Sequence, residues 1–297
     1  MIVFRPMQSS AEAFACGKLI LSGEHAVVYG QPAIAMPVSR GVRVFLEKFD
    51  GETHMPNGDD TLQRALRSIL PPHGLQVTMK SDLPLGRGMG SSAALAVACL
   101  RALASMCHET LTFESAFARA FSMERIFHGN PSGVDHAVSA SGQAVYYKKG
   151  HDKPIIEQMN IPKLTLVVMD TGQAGDTGKM VAKVRQGVGS KINTINAIGE
   201  VTRALKSHLS QETPDLNQIG DLLNANQTYL MELEVSTQRL NTLCQLACDA
   251  GAYGAKLAGA GGGGVAFALV EDPDVVLSAV RPHCADAFCV TTSLEAK

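Results

Sequence analysis

The strongest constraint on the fold lies at residues 83–95, which read LPLGRGMGSSAAL. Three glycines, Gly86, Gly88 and Gly90, alternate with other residues and precede two serines and a run of small apolar residues. The preceding LQVTMKSDL is typical of a strand, and SSAALAVACLRALASMC has the apolar density and length of a buried helix. The sequence therefore predicts a glycine-rich loop that leads from a strand into a helix beginning near Ser91.

This loop has two interpretations. A helix N-terminus presents free N–H groups and the positive end of the helix dipole, and both favour a bound anion. Glycines let successive N–H groups converge on phosphate oxygens, and a serine hydroxyl in such a loop can bind Mg²⁺. The alternative is a plain turn in which a serine side chain caps the helix. The residues of the loop alone leave both interpretations open.

Composition restricts the remaining functions. The 297 residues carry a net charge of −2 and no basic cluster, which argues against nucleic-acid binding. No stretch approaches the ~18 apolar residues that span a bilayer, and the apolar N-terminal segment is too short for a signal peptide. We therefore expect a cytoplasmic protein without a membrane segment. The seven cysteines contain no CxxC pair, so neither a disulfide framework nor a zinc site is predicted.

The order of the predicted elements indicates the fold class. Residues 14–49 read as short strands that are separated by turns at Gly23, Gly30 and Gly41. Mixed strands and helices follow in both halves of the chain, and KPIIEQMNIPK is a plausible connection between the halves. This pattern predicts an α+β protein with two domains, residues 1–155 and 156–297.

A second glycine run, residues 259–264, matches the pattern G-x-G-x-x-G. In dinucleotide-binding proteins that pattern follows a strand and opens a helix, whereas here the strand-like VAFALV follows it. A nicotinamide-dependent oxidoreductase therefore stays a weak alternative. The P-loop and protein-kinase signatures are both absent from the sequence. Four successive glycines cost chain entropy, so we expect another group to approach this loop closely.

Charged residues elsewhere add candidates for chemistry. Lys18, Glu24 and His25 stand among aliphatic residues in GKLILSGEHAVVYG, and Glu124 and Asp135 lie eleven positions apart in MERIFHGNPSGVDHAV. Each group by itself has a structural explanation, such as a surface hairpin that carries a few charges. Together with an anion-binding loop they match the requirements of phosphoryl transfer. In that reaction one carboxylate holds Mg²⁺, another accepts the proton of the acceptor hydroxyl, and a cation stabilises charge.

Four segments in chain order, GKLILSGEHAVVYG, PLGRGMGSSAAL, HGNPSGVD and KLAGAGGGG, resemble the motifs of the GHMP kinases. The first and third are most similar to the mevalonate kinase branch of that family, and the resemblance extends from about Phe14 to Thr292. It implies a two-domain fold with a ferredoxin-like C-terminal domain and the active site between the domains. The implied activity is ATP- and Mg²⁺-dependent phosphorylation of the primary hydroxyl of mevalonate, a step in isoprenoid precursor synthesis.

The resemblance also implies roles by position in the motifs. Asp135 matches the catalytic aspartate, and Lys18 matches the lysine close to that aspartate and to the acceptor hydroxyl. Ser92 and Glu124 match the Mg²⁺ ligands. The positions that match nucleotide-binding residues are Gly86, Gly88, Gly90, Ser91, Ser92, Gly261 and Gly262. The positions that match substrate-binding residues are Glu24, His25 and Thr177.

Some positions depart from the family pattern. Cys16 and Met89 replace a proline and a leucine, and we expect little effect from either change. Ala258 replaces the threonine of the usual KLTGAGGGG, which leaves the finer substrate preference open. Glu234 stands where mevalonate kinases often have glycine, and we expect it on a surface.

Other functions remain as alternatives. One is a kinase of the same family for phosphomevalonate or a sugar, and another is a non-catalytic ligand sensor that would have lost the catalytic carboxylates. The presence of Asp135, Glu124 and Lys18 argues against the sensor. The sequence leaves open a homodimer, and it leaves open whether Asp135 is a true base or positions the hydroxyl.

Overall fold

A computed structural model of the chain describes residues 8–84, 86–128, 132–150 and 153–292. Its first elements are strand β1 (Ser10–Ser22), a short 3₁₀ turn (Ala26–Tyr29) and strand β2 (Pro32–Glu52). The predicted break at Gly41 is wrong, because β2 continues through this residue. A Cβ at Gly41 would overlap the Phe14 ring and the Ala15 carbonyl of the neighbouring strand. Glycine here permits close approach of two strands.

The chain forms two compact units that are discontinuous in sequence. Residues of the first unit come from the described chain before Lys18, from Arg40–Leu83 and from Gly90–Gly142. Here the second half of β2 pairs antiparallel with strand β3 (His73–Ser81). The helices of this unit are α1 (Asp60–Arg67), α2 (Ser91–Met106), α3 (Phe113–His128) and α4 (Val134–Ser141). Helix α3 packs against α1, α2 and α4.

Helix α2 is the centre of the first unit. Most of its side chains between Ala93 and Met106 are buried, as the apolar density of the sequence predicted. It also packs against α4. The glycine-rich loop in front of Ser91 therefore leads directly into a buried helix.

The second unit contains Lys18–Ser39, the described residues of 84–89, and the described chain from Gln143. Strand β4 (Ala144–Lys148) pairs antiparallel with the first half of β2 and with strand β5 (Ile155–Met159). The first sheet therefore has the order β1-β2-β4-β5, with β3 beside β2.

A second, fully antiparallel sheet has the order β7-β8-β6-β9. Its strands are β6 (Thr165–Asp170), β7 (Gly254–Leu257), β8 (Val265–Val270) and β9 (Asp286–Thr291). Helices connect β6 to β7 and β8 to β9, and this order is that of a ferredoxin-like sheet. The predicted α+β class with a ferredoxin-like half is confirmed, whereas the domain boundary near residue 155 stays a prediction.

The helices of the second unit are α5 (Thr177–Gln186), α6 (Val188–Leu209), α7 (Leu216–Glu232), α8 (Gln238–Asp249) and α9 (Pro273–Val280). Helices α8 and α9 pack on the ferredoxin-like sheet, and their apolar side chains form one core with those of the strands. Among the described helices, none has the length and apolar character to cross a membrane.

Candidate active site

The glycine-rich loop has the backbone of an anion cradle. Gly86, Gly88 and Gly90 have φ values of 68°, 80° and 72°, while Arg87 and Met89 between them stay outside the left-handed region. Such alternation turns successive N–H groups toward one concave side, where they can bind an anion. Only glycine adopts these positive φ values without strain, so the backbone requires all three. Leu85 lies outside the described residues.

Helix α2 begins at Ser91, directly after this loop in the chain, and the N-terminus of a helix carries the positive end of its dipole. The alternative interpretation, in which a serine side chain caps the helix, is not observed. The residue before the helix is Gly90 in a left-handed conformation, and no side chain caps the helix. A side-chain cap needs an extended residue at that position. Ser91 and Ser92, both partly buried, instead form the first turn of the helix.

Lys18 joins the cradle to strand β1. Its side chain is only 2% exposed, and its ammonium group donates to the Gly88 carbonyl at 2.9 Å. The backbone N–H of Lys18 donates to the Met89 carbonyl at 2.9 Å. The carbonyls of Gly88 and Met89 are therefore satisfied from β1, while the N–H groups of these two residues have no acceptor among the described residues.

The second glycine run supports the cradle from the ferredoxin-like sheet. It follows β7 and leads into strand β8, which excludes the dinucleotide fingerprint. A Cβ on Gly259 would lie 3.3 Å from the Gly88 carbonyl oxygen, and a Cβ on Gly264 would lie 2.8 Å from that of Arg87. Gly261 and Gly262, the two predicted nucleotide contacts, lie against Val235 and Met180. Gly259 and Gly264 thus approach the cradle, and the binding role of Gly261 and Gly262 stays a prediction.

Glu24 is buried in the turn after β1, and its partner is Lys256 of β7. The Lys256 ammonium donates to Glu24 Oε1. It also donates to the Leu257 carbonyl, at a distance of 2.7 Å, and it lies 5.3 Å from the centre of the Phe267 ring. Burial raises the pKa of Glu24 and lowers that of Lys256, while the charge of each opposes the shift of the other. Lys256 was not among the site residues predicted from the sequence, although a lone lysine among the apolar residues of GAKLAG was a usable signal.

His25 has a strained backbone beside this ion pair. Its φ is 60°, an uncommon value for a residue with a side chain, and the residue is 5% exposed. Its Nε2 donates to the Ala260 carbonyl at 2.9 Å, and burial lowers the pKa of the ring. In the neutral ring Nδ1 is then an acceptor, which suits a substrate hydroxyl. Strain of this kind is found at ligand-binding sites.

Thr177 is the first residue of α5 and is exposed. The residue before it, Asp176, caps the helix by accepting from the Lys179 N–H at 2.9 Å. The Thr177 hydroxyl therefore lies at a helix N-terminus, where acidic groups of a ligand are favoured.

The predicted carboxylates belong to the first unit. Glu124 lies on α3 and is 2% exposed, and Asp135 lies in the first turn of α4 and is partly buried. Ser92 is the second residue of α2, which packs against both helices. Asp135 therefore presents its carboxylate near the positive end of a helix dipole. Gly129, Asn130 and Pro131 of the motif HGNPSGVD lie outside the described residues.

Arg101 holds the C-terminal end of helix α4, the end opposite to Asp135. This arginine of α2 donates to the carbonyls of Ser139 and Ala140 at 3.2 and 3.1 Å, and to the Phe14 carbonyl of β1 at 2.9 Å. The Ser139 hydroxyl donates to the Cys16 carbonyl at 2.9 Å. A cation at the C-terminal carbonyls of a helix is favourable. The helix with Asp135 is therefore held against α2 and β1 by a residue that the sequence argument did not single out.

The residues present fit Mg²⁺ and a nucleotide phosphate. Within the described ranges no group of three or more His, Cys, Asp or Glu side chains is placed to hold a metal. Mg²⁺ is commonly bound by one or two carboxylates together with water and substrate phosphates. Ser92 and Glu124 supply a hydroxyl and a carboxylate, the hard oxygen donors this ion prefers. The cradle in front of α2 supplies the N–H groups a phosphate requires.

Comparison with known proteins gives a consistent result. A model of the GHMP kinases N terminal domain matches residues 60–143, and a model of the GHMP kinases C terminal domain matches residues 203–286. A Thermococcus sibiricus protein named mevalonate kinase is 33% identical to this chain, over 91% of the chain and 92% of that protein. The mevalonate kinase of Pyrococcus abyssi is 34% identical, over 86% of the chain and 88% of that protein.

One solved structure has a similar fold along nearly the whole chain. The crystal structure of L. major mevalonate kinase in complex with R-mevalonate matches with a TM-score of 0.88 and 25% sequence identity. The match covers 99% of this chain and 100% of that one. Fold similarity therefore extends through both compact units.

Proposed function

Because this chain belongs to the GHMP kinase family, we propose that it transfers the γ-phosphoryl group of ATP to the primary hydroxyl of mevalonate, forming 5-phosphomevalonate. The observation that carries the proposal is the near-full-length similarity to mevalonate kinases. The anion cradle, the buried Lys18 and the helix-borne Asp135 support it, because they match what phosphoryl transfer requires.

In this proposal the cradle from Gly86 to Gly90 binds the nucleotide phosphates with its N–H groups. Ser92 and Glu124 hold Mg²⁺ through hydroxyl and carboxylate oxygens. When bound, Mg²⁺ neutralises the charge that develops on the phosphate oxygens. The backbone cradle is already formed by the alternating φ values, so little reorganisation is needed when charge develops.

Asp135 and Lys18 act on the acceptor hydroxyl. A primary alcohol is a poor nucleophile near pH 7, and the Asp135 carboxylate orients it and takes its proton as transfer proceeds. The Lys18 ammonium stabilises negative charge on the acceptor oxygen. Since phosphoryl transfer passes through a loose transition state, orientation contributes at least as much as proton removal.

His25, Glu24 and Thr177 bind the substrate in this proposal. The neutral His25 ring accepts a hydrogen bond from a substrate hydroxyl at Nδ1, because its Nε2 donates to the protein. Thr177 presents a hydroxyl at a helix N-terminus, which favours a carboxylate such as that of mevalonate. Glu24 holds its place through Lys256 and shapes the turn that carries His25.

The test is ADP release measured with mevalonate, phosphomevalonate, galactose and homoserine as separate acceptors, with Mg²⁺ present and then removed by a chelator. We expect turnover with mevalonate that is lost without the metal. Turnover with another acceptor and none with mevalonate would assign the chain to a different activity in the family. A cytoplasmic location and a homodimer stay predictions.

A further inference from the structure

Arg87 is the one charged residue in LPLGRGMGSSAAL, and its guanidinium group contacts residues at the end of β6. Its Nε lies 3.2 Å from Asp170 Oδ1, and its Nη2 donates to the Gly172 carbonyl at 3.0 Å. The side chains of Arg87 and Asp170 are 19% and 8% exposed. Such a partly buried, charge-assisted contact is stronger than an exposed ion pair.

Asp170 is a rigid anchor. It is the last residue of β6, where it pairs with Val265 of β8 and Asp286 of β9. Its Oδ1 also accepts the Gly172 N–H at 2.8 Å, so the carboxylate is fixed by its own turn. Arg87 thereby ties the cradle to the end of the central pair of strands in the ferredoxin-like sheet.

The carbonyls of Gly88 and Met89 have hydrogen-bond donors, whereas the N–H groups of residues 87–89 have no acceptor among the described residues. The Gly88 carbonyl accepts a hydrogen bond from the Lys18 ammonium group, and the Met89 carbonyl accepts one from the Lys18 backbone N–H. The hydrogen bonds found among the described residues include none that the N–H groups of Arg87, Gly88 and Met89 donate. The third nitrogen of the guanidinium, Nη1, is buried and has no acceptor in the described part of the chain. Buried donors of this kind need a partner, which a water or a phosphate oxygen supplies.

We propose that Arg87 and Asp170 form a clasp that holds the nucleotide-binding cradle in its anion-binding shape, which makes Arg87 a positioning residue for ATP. This inference rests on the proposed function of the loop. A segment with three glycines loses much conformational entropy when it becomes ordered. The clasp holds that segment in order before the nucleotide binds, so the binding step has less ordering to supply.

The expected effect is specific to the nucleotide. In Arg87→Gln we expect the Kd for Mg-ADP and the KM for ATP to rise about tenfold. The KM for mevalonate should change by less than about twofold. Asp170→Asn should give the same rise, and the double variant should be no worse than either single variant, because both lose one clasp. Arg87→Lys should recover only part of the affinity, since a lysine keeps the charge without the planar fork.

Calorimetric titration with Mg-ADP is the primary measurement, because it needs no turnover. The control is Arg203→Gln, which breaks the exposed Arg203–Glu200 pair of 2.7 Å and removes the same charge far along the sequence from the loop. Thermal unfolding of every variant shows whether a loss of affinity accompanies a loss of folded protein.

The outcomes separate the two proposals. Nucleotide affinity in Arg87→Gln and Asp170→Asn equal to the wild type overturns the clasp, and so does a lowered melting temperature without a change in affinity. Additive losses in the double variant overturn the pairing of the two residues. A wild type that binds Mg-ADP but does not phosphorylate mevalonate would refute the proposed function while leaving the clasp testable.

Discussion

Lys256 and Glu24 form an ion pair that is withdrawn from water, with side chains 0% and 1% exposed. A buried ion pair gives little net stability, because desolvation offsets the attraction of the charges. The second oxygen of Glu24, Oε2, is buried and has no partner among the described residues. The pair therefore fixes the turn after β1 in one conformation without adding much net stability.

We predict that Lys256→Met lowers the free energy of unfolding by about 3–5 kcal/mol, because it leaves Glu24 buried without a counter-charge. The double variant Lys256→Met/Glu24→Gln should recover most of that loss, since neither charge remains. Urea unfolding of the two single variants and the double variant measures this coupling. A double variant as unstable as the sum of the single variants would contradict the view that charge imbalance causes the loss.

The same double variant tests the role of the pair in the reaction. If Glu24 shapes the substrate site, the folded double variant should still have reduced turnover of mevalonate. Full activity in a stably folded double variant would show that the pair serves the fold alone.

Asp135→Asn should lower kcat by about 10²–10⁴, the range for loss of a general acid–base group. The KM for ATP should change little, because the proposed role of Asp135 is at the acceptor hydroxyl. Steady-state kinetics with each substrate varied in turn gives both values. Mg-ADP titration of the variant is the control for an intact nucleotide site, and undiminished turnover would remove Asp135 from the proposed chemistry.

We predict that the buried side chain of His136 makes the stability of the protein depend on pH. The residue is fully buried between the rings of Phe117 and Phe121, with centroids 4.7 and 4.9 Å away, and neither ring nitrogen has a partner in the described ranges. Burial lowers the pKa of His136 to about 4, whereas an unfolded histidine titrates near 6.5. The unfolded chain therefore binds more protons between these values, and stability falls as pH falls from about 6.5 to about 4, by on the order of 3 kcal/mol.

The variant that tests this effect is His136→Phe, which keeps the aromatic packing and removes both nitrogens. The free energy of unfolding of this variant, measured with urea, should exceed that of the wild type by more at pH 5 than at pH 7.5. Replacement of the exposed His73 by Gln is the matched control and should leave the pH dependence unchanged. An equal pH dependence in His136→Phe and the wild type would assign the effect to other groups.

The backbone conformation of Glu234 is one that favours glycine, the residue that mevalonate kinases often have at this position. Its φ is 60°, a left-handed value that glycine adopts without strain, and its exposed side chain pairs with Lys191 at 2.9 Å and Lys183 at 3.8 Å. We predict that Glu234→Ala melts below the wild type, because it keeps the strained Cβ and loses the ion pairs. Glu234→Gly should melt above Glu234→Ala, since strain is relieved. Melting at low and high salt measures both effects, and equal melting of the two variants would contradict the strain.

Local sequence patterns were sufficient to predict several of the elements that surround the candidate site. The strand, the glycine-rich loop and the start of α2 at Ser91 follow from alternation, glycine spacing and apolar density, and each is a property of neighbouring residues. Four motifs in order were sufficient to predict the family, because they preserve the groups that the chemistry needs. The sequence also predicted a surface position for Glu234, which is exposed.

Only the tertiary structure decided which residues support those groups. Gly41 predicted a turn, yet it lies within β2, because the approach of Phe14 across the sheet is not visible in local sequence. Lys256 reaches Glu24 across more than two hundred positions, and Arg87 finds its anchor at Asp170. Burial and long-range pairing depend on where distant segments pack, so a charge that reads as a surface residue in sequence becomes a buried partner in the fold.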